Sequence, residues 1–435
     1  MKTYRYPDEQ TWTEIVQRPV MNSERLQSMV RSILDQVKSQ GDAAIRQFAK
    51  EFDNVEIDNF MVSSEELMHA VQNVKPEFKM AVKHAYRNIE KFHKSQKEKV
   101  KIIETSPGVQ CWRTSTAIQK VGLYIPGGTA PLFSTVLMLG IPAKLAGCEE
   151  IILCTPPNPQ EQINEAILYC AHMIGLERIY KIGGAQAIGA MAYGTKSIPR
   201  VEKIFGPGNQ YVTMAKQLVN LEGIAIDMPA GPSEVVVVAD HTANPKFIAA
   251  DLLSQAEHGI DSQVIFITTQ EDLLMQVQNA LTKQMAKLPR RKIANEALKN
   301  SSMVILKNID QAIELVNKYA PEHLILMVKH PRRKAHKIKN AGSVFLGSFT
   351  PESAGDYVSG TNHTLPTNGM ARSYSGVSLE SFMKKITFQQ ISRNGLENLA
   401  DTINIMAETE DLNAHKIAVQ VRLQKGNERS DDGYK

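Results

Sequence analysis

The chain has 435 residues, of which 43% are hydrophobic and 22% are charged, and its formal net charge is +4. This length and composition are typical of a globular protein with two or three domains and substantial cores, and the small charge excess argues against a polyanionic partner. The amino terminus is polar and no apolar run approaches the roughly 18 residues of a membrane span, so we expect a soluble, cytoplasmic protein without a membrane partner.

The amino-terminal third of the chain has a charged, helical pattern. Apolar residues recur every three to four positions in 23–52, which predicts helices with a break at Gly41, and a further helix is predicted from Ser64 to about Glu98. From Ile118 the pattern changes to short apolar runs separated by glycine and proline: VGLYIPGG, EEIILCTPP, RIYKIGG, KIFGPGN and SEVVVVAD. Strands that alternate with helical segments predict parallel sheets covered by helices on both faces.

Two segments resemble each other, TVLMLGIPAKLAGCEEIILCTPP (135–157) and FIAADLLSQAEHGIDSQVIFITT (247–269). Each has a helix, a stop at Gly147 or Gly259, an apolar strand and a threonine-containing turn. The repetition suggests a duplicated domain whose halves have diverged. The predicted fold class is therefore α/β, with two Rossmann-like parallel-sheet domains arising from duplication plus small N-terminal and C-terminal helical extensions.

The carboxyl-terminal part is predicted to be loop-rich after Phe349 and helical from about Ser378. The tail is too short for a core of its own, so it should pack on another domain or another subunit. A basic run, KHPRRKAHKIK (329–339), is typical of a solvated helix face. The alternative is a nucleic-acid-binding protein, which would bind DNA in a strongly salt-dependent manner.

Gln255 and His258 stand at the end of the helix that precedes the second repeated strand. Side chains three residues apart on a helix are neighbours, so an amide oxygen and an imidazole nitrogen can reach one point, where a metal could bind. The alternative is that both side chains only cap the helix or bond to backbone groups.

Glu322 and His323 stand where a helix ends before Pro321 and a buried strand begins at Leu324. The pair supplies two proton acceptors of different basicity, which suits a reaction with more than one proton transfer. The alternative is a histidine that only begins a strand beside a solvated glutamate.

Two further candidate groups lie nearer the carboxyl end. Asp356 and His363 fall in a glycine-containing loop and are ordinary zinc ligands or substrate-holding groups, although polar loops are common. Glu410 and His415 are five residues apart, so they do not share a helical face and are predicted to straddle a helix start. Alone they would be interpreted as surface residues.

Glycine clusters and cysteines bear on the cofactor and the nucleophile. The clusters at 127–128, 183–184 and 206–209 follow predicted strands, where backbone amides can meet an anionic ligand such as a dinucleotide. None is GxGxxG, and glycine turns explain any single cluster.

The four cysteines show no CxxC spacing and no neighbouring base, so we expect reduced, mostly buried thiols, and water activated by a carboxylate as the nucleophile.

Between about residues 120 and 415 the chain contains eight motifs: VGLYIPGGTAPLFSTVLM, GGAQAIGAMAYGT, IFGPGNQYVT, DMPAGPSEV, DLLSQAEHG, YAPEHL, GDYVSGTNHTLPT and a terminal E-x4-H. Any one of them would be weak evidence, but all eight in this order resemble the histidinol dehydrogenase family. That family makes histidine in the last two steps of its biosynthesis.

The resemblance implies one zinc ion per subunit, held by Gln255, His258, Asp356 and His415. In the family this zinc orients the amino group and imidazole of L-histidinol rather than activating water. The implied substrate-binding residues are Ser233, Gln255, His258, Glu322, His323, Asp356, His363, Glu410 and His415. The resemblance also implies a homodimer in which the tail completes the partner's active site.

The resemblance further implies NAD contacts at Tyr124, Gln186 and Asn209, and proton transfer by the catalytic residues Glu322 and His323. His323 would remove the hydroxyl proton as hydride leaves for NAD, and would act again in the second oxidation. Glu322 would activate the water that adds to the bound aldehyde. The family binds its dinucleotide without GxGxxG, so the missing fingerprint is not a departure.

The expected domains are an N-terminal extension (1–22), a discontinuous metal- and substrate-binding domain (23–123 and 236–377), a NAD-binding domain (124–235) and a helical dimerisation tail (378–435). One alternative is a related zinc-dependent dehydrogenase of another amino alcohol or of a sulfonated diol. Another is a metal-dependent hydrolase that uses zinc and a carboxylate but no dinucleotide.

Overall fold

The computed structural model describes residues 1–18, 23–127, 131–229 and 231–424. Gly128 of the first glycine cluster, the last four residues of the predicted N-terminal extension and the end of the predicted tail therefore lie outside the described residues. The chain forms two compact units. The first unit comprises 1–96 and 118–382, and the second unit comprises 97–117 and 383–435.

The strands of the described residues are β1 (Lys2–Arg5), β2 (Ile103–Ser106), β3 (Val109–Ala117), β4 (Lys120–Tyr124), β5 (Glu150–Thr155), β6 (Arg178–Lys181), β7 (Lys203–Phe205), β8 (Ala225–Ile226), β9 (Glu234–Ala239), β10 (Gln263–Thr268), β11 (Ser302–Ile305), β12 (His323–Met327), β13 (Ser343–Leu346) and β14 (Met383–Ile391).

The helices are α1 (Glu9–Ile15), α2 (Ser23–Gln40), α3 (Asp42–Phe52), α4 (Ser64–Asn73), α5 (Pro76–Lys94), α6 (Phe133–Ala146), α7 (Glu165–Ile174), α8 (Gly184–Tyr193), α9 (Gln210–Leu221), α10 (Pro245–Ala256), α11 (Glu271–Met285), α12 (Arg291–Lys299), α13 (Ile309–Tyr319), α14 (Pro331–Ala335), α15 (Glu352–Tyr357), α16 (Arg393–Thr409) and α17 (Asn413–Leu423). Short 3-10 helices span Met370–Arg372 and Leu379–Phe382. Among the described residues, no helix is both long and apolar enough to cross a membrane.

One half of the first unit is built on a six-stranded sheet with the order β1-β11-β10-β9-β12-β13, in which every neighbouring pair is parallel. Strands β9, β10 and β12 are buried along their whole length. Helices α10, α11 and α12 share a core with one face, and α1 and α13 share a core with the other. The continuous apolar runs in the sequence reflect this burial on both faces.

The other half is built on a five-stranded parallel sheet with the order β6-β5-β4-β7-β8. Helices α2, α3, α8 and α9 form one core with this sheet. The helices that begin at residue 23 therefore pack on the five-stranded sheet, whereas the expected domain division groups 23–123 with the metal-binding half. Strand β4, at the expected 123/124 border, lies in the middle of this sheet. The prediction of two parallel-sheet α/β halves is confirmed.

The second unit contains a three-stranded antiparallel sheet, β14-β3-β2, and the helices α16 and α17. β14 and β3 pair over nine residues, and Trp112 stacks on Phe388 across them with ring centroids 5.6 Å apart. The prediction of a helical tail is wrong for 383–391, because the β-branched and aromatic residues of MKKITFQQI favour a strand and β3 supplies its partner. The helical prediction holds for the described residues from Arg393 onward.

Candidate active site

Glu322 and His323 lie at the amino-terminal edge of the six-stranded sheet. Helix α13 ends at Tyr319, and Ala320 turns the chain with a φ of 55°. His323 then begins β12, where its backbone is in register with Val235 of β9. Both side chains are buried, so they form hydrogen bonds with protein groups rather than with bulk water.

The backbone of Glu234, the first residue of β9, contacts both side chains. Its N–H donates to Oε2 of Glu322 at 2.8 Å, and its carbonyl oxygen lies 3.2 Å from Nδ1 of His323. Because a carbonyl oxygen can only accept, Nδ1 carries the hydrogen, and neutral His323 has its lone pair on Nε2. That nitrogen is buried and has no hydrogen-bond partner among the described residues. It lies 3.8 Å from Oδ1 of Asp356, so it is positioned as a proton acceptor that faces a site.

Carboxylates dominate the electrostatics around His323. Burial by itself lowers the pKa of His323, but Glu322, Glu352 and Asp356 outweigh burial and raise that pKa to about 10. Burial raises the pKa of Glu352 well above its usual range, and the neighbouring His323 offsets only part of this effect. These carboxylates by themselves favour protonated His323, whereas a bound cation would compensate their charge and favour the neutral form, which can accept a proton.

Arg18 and Glu234 form an ion pair next to the two candidate catalytic residues. Arg18 donates to both carboxylate oxygens of Glu234, at 2.5 and 2.8 Å, and to the carbonyl oxygen of Tyr319 at 2.8 Å. Its guanidinium also lies 4.0 Å from the centroid of the Tyr319 ring. This pair could not be predicted from the sequence, because Arg18 belongs to no motif and is 216 residues from Glu234. The pair stabilises the strand end that holds Glu322 and His323.

A group of potential metal ligands lies beside His323. His258, Glu352 and Asp356 offer ligand atoms that all lie within 4.8 Å of one another. Gln255 is fully buried, and neither atom of its amide has a hydrogen-bond partner in the part of the chain that the structure describes. An unsatisfied buried polar group costs about 1–3 kcal/mol, so this amide is suited to a ligand. The nitrogen and oxygen donors fit a divalent metal such as zinc.

Asp356 lies on a helix and not in the predicted loop. It belongs to α15, one turn after Glu352. Because side chains four residues apart lie on the same helical face, the two carboxylates point to the same side. The sequence prediction missed Glu352, since the proline and glycine of PESAGDY were interpreted as loop signals. The i, i+4 spacing of two acidic residues was the available signal.

His363 connects the two halves of the first unit. Its Nδ1 lies 3.0 Å from the carbonyl oxygen of Asp356, and its Nε2 lies 3.1 Å from Oγ1 of Thr135 in the first turn of α6. Helix α6 follows β4, so this contact links the carboxyl edge of the five-stranded sheet to the amino edge of the six-stranded sheet. Ser233 lies at this second edge, directly before β9.

Tyr124, Gln186 and Asn209 lie at the carboxyl edge of the five-stranded sheet. Tyr124 ends β4, and its hydroxyl oxygen accepts a hydrogen bond from the N–H of Gly184 at 3.1 Å. Gln186 is buried in the first turn of α8, and Asn209 caps α9 by accepting from two backbone N–H groups. Open α/β sheets commonly bind ligands at this edge, and all three residues lie there, with Tyr124 and Gln186 buried.

A second ion pair fixes the glycine-containing loop at this edge. Lys216 and Asp227 are paired and buried, and each also bonds Gly206. Asp227 accepts from the N–H of Gly206 at 2.8 Å, and Lys216 donates to its carbonyl oxygen at 2.9 Å. Gly206 has a φ of +129°, and a Cβ there would overlap the carbonyl oxygen of Tyr124. The loop therefore requires glycine at this position.

The cysteines are poor candidates for a nucleophile. All four are free, and Cys148, Cys154 and Cys170 are buried. Burial raises the pKa of Cys148 to about 12 and raises the pKa of both Cys154 and Cys170 far above the usual range. Such thiols are not ionised at neutral pH, and the thiolate is the reactive form. The expectation of mostly buried thiols is confirmed, with Cys111 partly exposed.

Glu410 and His415 belong to the second unit. Glu410 directly follows α16, and His415 lies in the first turn of α17, so the two residues straddle a helix start. Both side chains are exposed. The basic run in the first unit is partly neutralised, because Lys334 and Lys337 pair with Asp310 at 3.2 and 2.9 Å.

The fold and the site define an α/β protein with two parallel sheets and a buried cluster of histidine and carboxylate side chains. The same fold occurs in an acetylating aldehyde dehydrogenase from Geobacillus thermoglucosidasius, with a TM-score of 0.50 and 15% identity over 87% of this chain and 96% of that one. At this identity the similarity concerns the fold alone.

Closer similarities identify the family. The family model for histidinol dehydrogenase matches residues 16–423. A histidinol dehydrogenase from Bacteroides thetaiotaomicron is 56% identical over 97% of this chain and 99% of its own. The crystal structure of histidinol dehydrogenase from Elizabethkingia anophelis matches with a TM-score of 0.95 and 56% identity, covering 97% of this chain and 98% of that chain. The chain belongs to the histidinol dehydrogenase family and is an oxidoreductase.

Proposed function

We propose that this enzyme oxidises L-histidinol through L-histidinaldehyde to L-histidine, using zinc and two NAD per turnover, in the last two steps of histidine biosynthesis in the cytoplasm. The observation that carries the proposal is the unpartnered, buried Nε2 of His323 beside the ligand group of His258 and Asp356. A proton acceptor next to a metal site is what alcohol oxidation requires. Family membership names histidinol as the substrate.

Gln255, His258 and Asp356 would hold the metal, with His415 as a further ligand. Zinc in this site would orient the amino group and imidazole of the substrate and neutralise the charge of the surrounding carboxylates. The unsatisfied amide of Gln255 and the close approach of His258 and Asp356 support this assignment. His415 lies in the second unit, and we propose that the tail supplies it to the partner subunit of a homodimer, making the dimer necessary for activity.

His323 and Glu322 would carry out the proton chemistry. In the first oxidation, Nε2 of His323 takes the hydroxyl proton while the carbon gives its hydride to NAD, which leaves the aldehyde. Glu322 then accepts a proton from the water that adds to the aldehyde carbon, while His323 gives its proton to the aldehyde oxygen and becomes neutral again. In the second oxidation, His323 takes a proton from the hydrated aldehyde as the carbon loses its second hydride, and the product is the carboxylic acid. The backbone of Glu234 keeps both side chains in place throughout.

The remaining assignments concern binding. Tyr124, Gln186 and Asn209 would contact NAD at the carboxyl edge of the five-stranded sheet. Thr135 lies in the first turn of α6, at the same edge. Its contact with His363 supports the proposed transfer of hydride between the two halves. Substrate contacts are proposed at Ser233, Gln255, His258, Glu322, His323, Asp356, His363, Glu410 and His415. The halves correspond to a NAD-binding and a metal-binding domain, and the tail to a dimerisation segment.

The test is the yield of NADH from a limiting amount of L-histidinol with excess NAD, before and after removal of metal with a chelator. We expect two NADH per histidinol, loss of activity on chelation and recovery with zinc. One NADH would show that the reaction stops at the aldehyde and that Glu322 lacks the proposed role. No NADH would redirect the search to other amino alcohols, and activity of verified metal-free enzyme would overturn the metal assignment.

A further inference from the structure

We propose that Asn362 is a positioning residue that holds His363 in place between the two halves of the first unit. Pro142 in α6 makes this possible, because it leaves the carbonyl oxygen of Met138 without its usual helical donor. The inference rests on the proposed function, which makes His363 a substrate contact, and it adds two residues that the proposed function does not use. Its consequence is that the binding of L-histidinol depends on a side chain whose polar atoms all bond to protein groups.

Pro142 interrupts the hydrogen bonds of α6. In an α-helix each N–H bonds the carbonyl oxygen four residues earlier, and proline has no N–H. The carbonyl oxygen of Met138 therefore lacks that donor, although Met138 is fully buried. A buried carbonyl group without a partner is costly, so a donor from another element is expected. The side-chain nitrogen Nδ2 of Asn362 supplies this donor at 2.6 Å.

The amide of Asn362 has protein partners for each of its polar groups. Besides the bond to Met138, Nδ2 lies 3.4 Å from Nε2 of His93 in α5, and Oδ1 accepts from the N–H of Thr364 at 3.0 Å. Nδ1 of His93 lies 2.9 Å from the carbonyl oxygen of Ile89, which can only accept, so Nδ1 carries the hydrogen and Nε2 accepts. Burial lowers the pKa of His93 and favours this neutral ring. The network therefore fixes which way the amide points.

These contacts surround His363. Asn362 precedes it in the chain, and Thr364, whose N–H bonds Asn362, follows it, so the backbone is fixed on both sides. The ring of His363 reaches Oγ1 of Thr135 at 3.1 Å. Thr135 and Met138 are three residues apart in α6, so they are neighbours on the helix surface. Asn362 therefore anchors the chain to α6 beside the point where His363 contacts the same helix.

A purely structural role for Asn362 predicts a different result. A structural residue changes the free energy of unfolding and leaves the KM of the folded enzyme as it is. A positioning residue that acts through His363 changes the KM for L-histidinol, and its effect disappears once His363 has been removed, because the two substitutions then affect the same interaction.

The experiment compares Asn362→Ala, His363→Ala and the double variant in the full-length enzyme supplied with zinc. The KM for L-histidinol, the KM for NAD, kcat and the stability to urea are measured for each. Asn317→Ala is the matched control. Its amide also donates to a backbone carbonyl oxygen, that of Lys337 at 2.9 Å, and accepts from a backbone N–H, that of Lys339 at 2.7 Å. These partners lie outside α6.

We expect Asn362→Ala to raise the KM for L-histidinol by about 10-fold or more and to leave the KM for NAD within about 2-fold, because misplacing a binding group by about 1 Å can cost about 100-fold. Asn317→Ala should lower stability and leave both KM values within about 2-fold. In the double variant, Asn362→Ala should add less than about 2-fold to the effect of His363→Ala. An unchanged KM for Asn362→Ala while His363→Ala raises it, or a full additional effect in the double variant, would overturn the inference.

A crystal structure of Asn362→Ala separates the inference from the proposed function. Nε2 of His363 should move beyond hydrogen-bond distance of Oγ1 of Thr135, and an unmoved ring would overturn the inference. If the ring moves but neither Asn362→Ala nor His363→Ala changes the KM for L-histidinol, the positioning of His363 by Asn362 is supported. The substrate contact assigned to His363 by the proposed function then fails.

Pro142 provides a test of the bond to Met138. Pro142→Ala restores an N–H four residues after Met138, so the carbonyl oxygen regains a helical donor. Asn362→Ala should therefore shift the urea midpoint less in the Pro142→Ala background than in the wild type. Equal shifts in the two backgrounds would contradict the pairing of Pro142 with Asn362.

A second variant keeps the inference testable if alanine at position 362 prevents folding. Asn362→Asp keeps the shape of the side chain and the oxygen that accepts from Thr364, but its second oxygen cannot donate to the carbonyl oxygen of Met138 when the carboxylate is ionised. We expect the KM for L-histidinol to rise as in Asn362→Ala. A wild-type KM in the folded Asn362→Asp enzyme would overturn the inference.

Discussion

Replacing Arg18 by methionine should destabilise the protein by about 3–5 kcal/mol, the cost of removing one partner from a buried ion pair. The Arg18 and Glu234 side chains are only 13% and 3% exposed. Methionine keeps the apolar stem but leaves the Glu234 carboxylate buried without its cation. Burial already raises the pKa of Glu234, and Arg18 is the main group that opposes this shift. Because both side chains are so little exposed, water cannot solvate the Glu234 carboxylate in place of the Arg18 guanidinium.

The assay is urea denaturation, with the shift in midpoint converted into a free energy of unfolding by means of the common slope. Arg31→Met is the matched control, because its partner Glu222 is partly exposed and such pairs contribute about 0–1 kcal/mol. The double variant with Glu234→Gln should recover part of the loss, since no charge then remains buried. A cost for Arg18→Met no larger than that of Arg31→Met would refute the reasoning.

The same substitution should affect catalysis through the backbone of Glu234. That backbone bonds Glu322 at 2.8 Å and His323 at 3.2 Å. We expect the folded Arg18→Met enzyme to lose kcat more than it changes the KM for substrate, because proton transfer depends on the exact position of these groups more than binding does. An unchanged kcat with a raised KM would instead assign the pair to substrate binding.

Three other predictions test further parts of the structure. Gly206→Ala should raise the KM for NAD strongly or prevent folding. In the control Gly147→Ala, the added Cβ meets no atom within 4 Å, so the substitution should cost only about 1 kcal/mol of stability. Equal effects of the two substitutions would contradict the proposed loop constraint. Burial raises the pKa of Asp53 to about 6. Because the unfolded value is about 3.9, the folded state binds the proton more tightly, and this stability is present below about pH 4 and lost as pH rises through about 6. Asp53→Asn should therefore stabilise the protein more at about pH 8 than at about pH 5, as measured by denaturation at both pH values, and no difference would refute the assignment. His323→Asn should abolish the first oxidation, while Glu322→Gln should mainly slow the second, because only that step consumes water; normal oxidation of histidinaldehyde by Glu322→Gln would separate Glu322 from that role.

Local patterns predicted the strands and helices of the first unit well. Strands buried on both faces read as apolar runs, as in Val235–Val238, and glycine at positive φ ends helices, as at Gly147 and Gly175. The same kind of reasoning failed at 383–391, where a strand depends on a partner in 109–117 that is distant in sequence. Local propensity does not contain such a pairing.

Only some residues of the candidate site could be predicted from the sequence. Gln255 and His258 were predicted as candidates because their spacing is local, and Glu322 and His323 because they are adjacent. Glu352 was missed although it lies one turn from Asp356, since the segment was interpreted as a loop. The pair of Arg18 and Glu234 was out of reach for sequence reasoning, because only the packing of α1 and β9 into one half brings these residues together.

The duplicated halves use opposite edges of their sheets, and this explains the different sequence signals of the two proposed binding regions. In the five-stranded half, glycines follow the strands at the carboxyl edge, as at Gly184 and Gly206, whose N–H groups donate to Tyr124 and Asp227. In the six-stranded half, the polar residues precede the strands: Glu322 before β12, and Gln255 and His258 before β10. The contact of His363 with Thr135 joins these two edges. Open α/β sheets usually bind ligands at the carboxyl ends of their strands. The proposed cofactor and metal regions can therefore face each other only if one half binds its ligand at the amino edge instead. The difference between the two halves would thus be a requirement of the proposed hydride transfer.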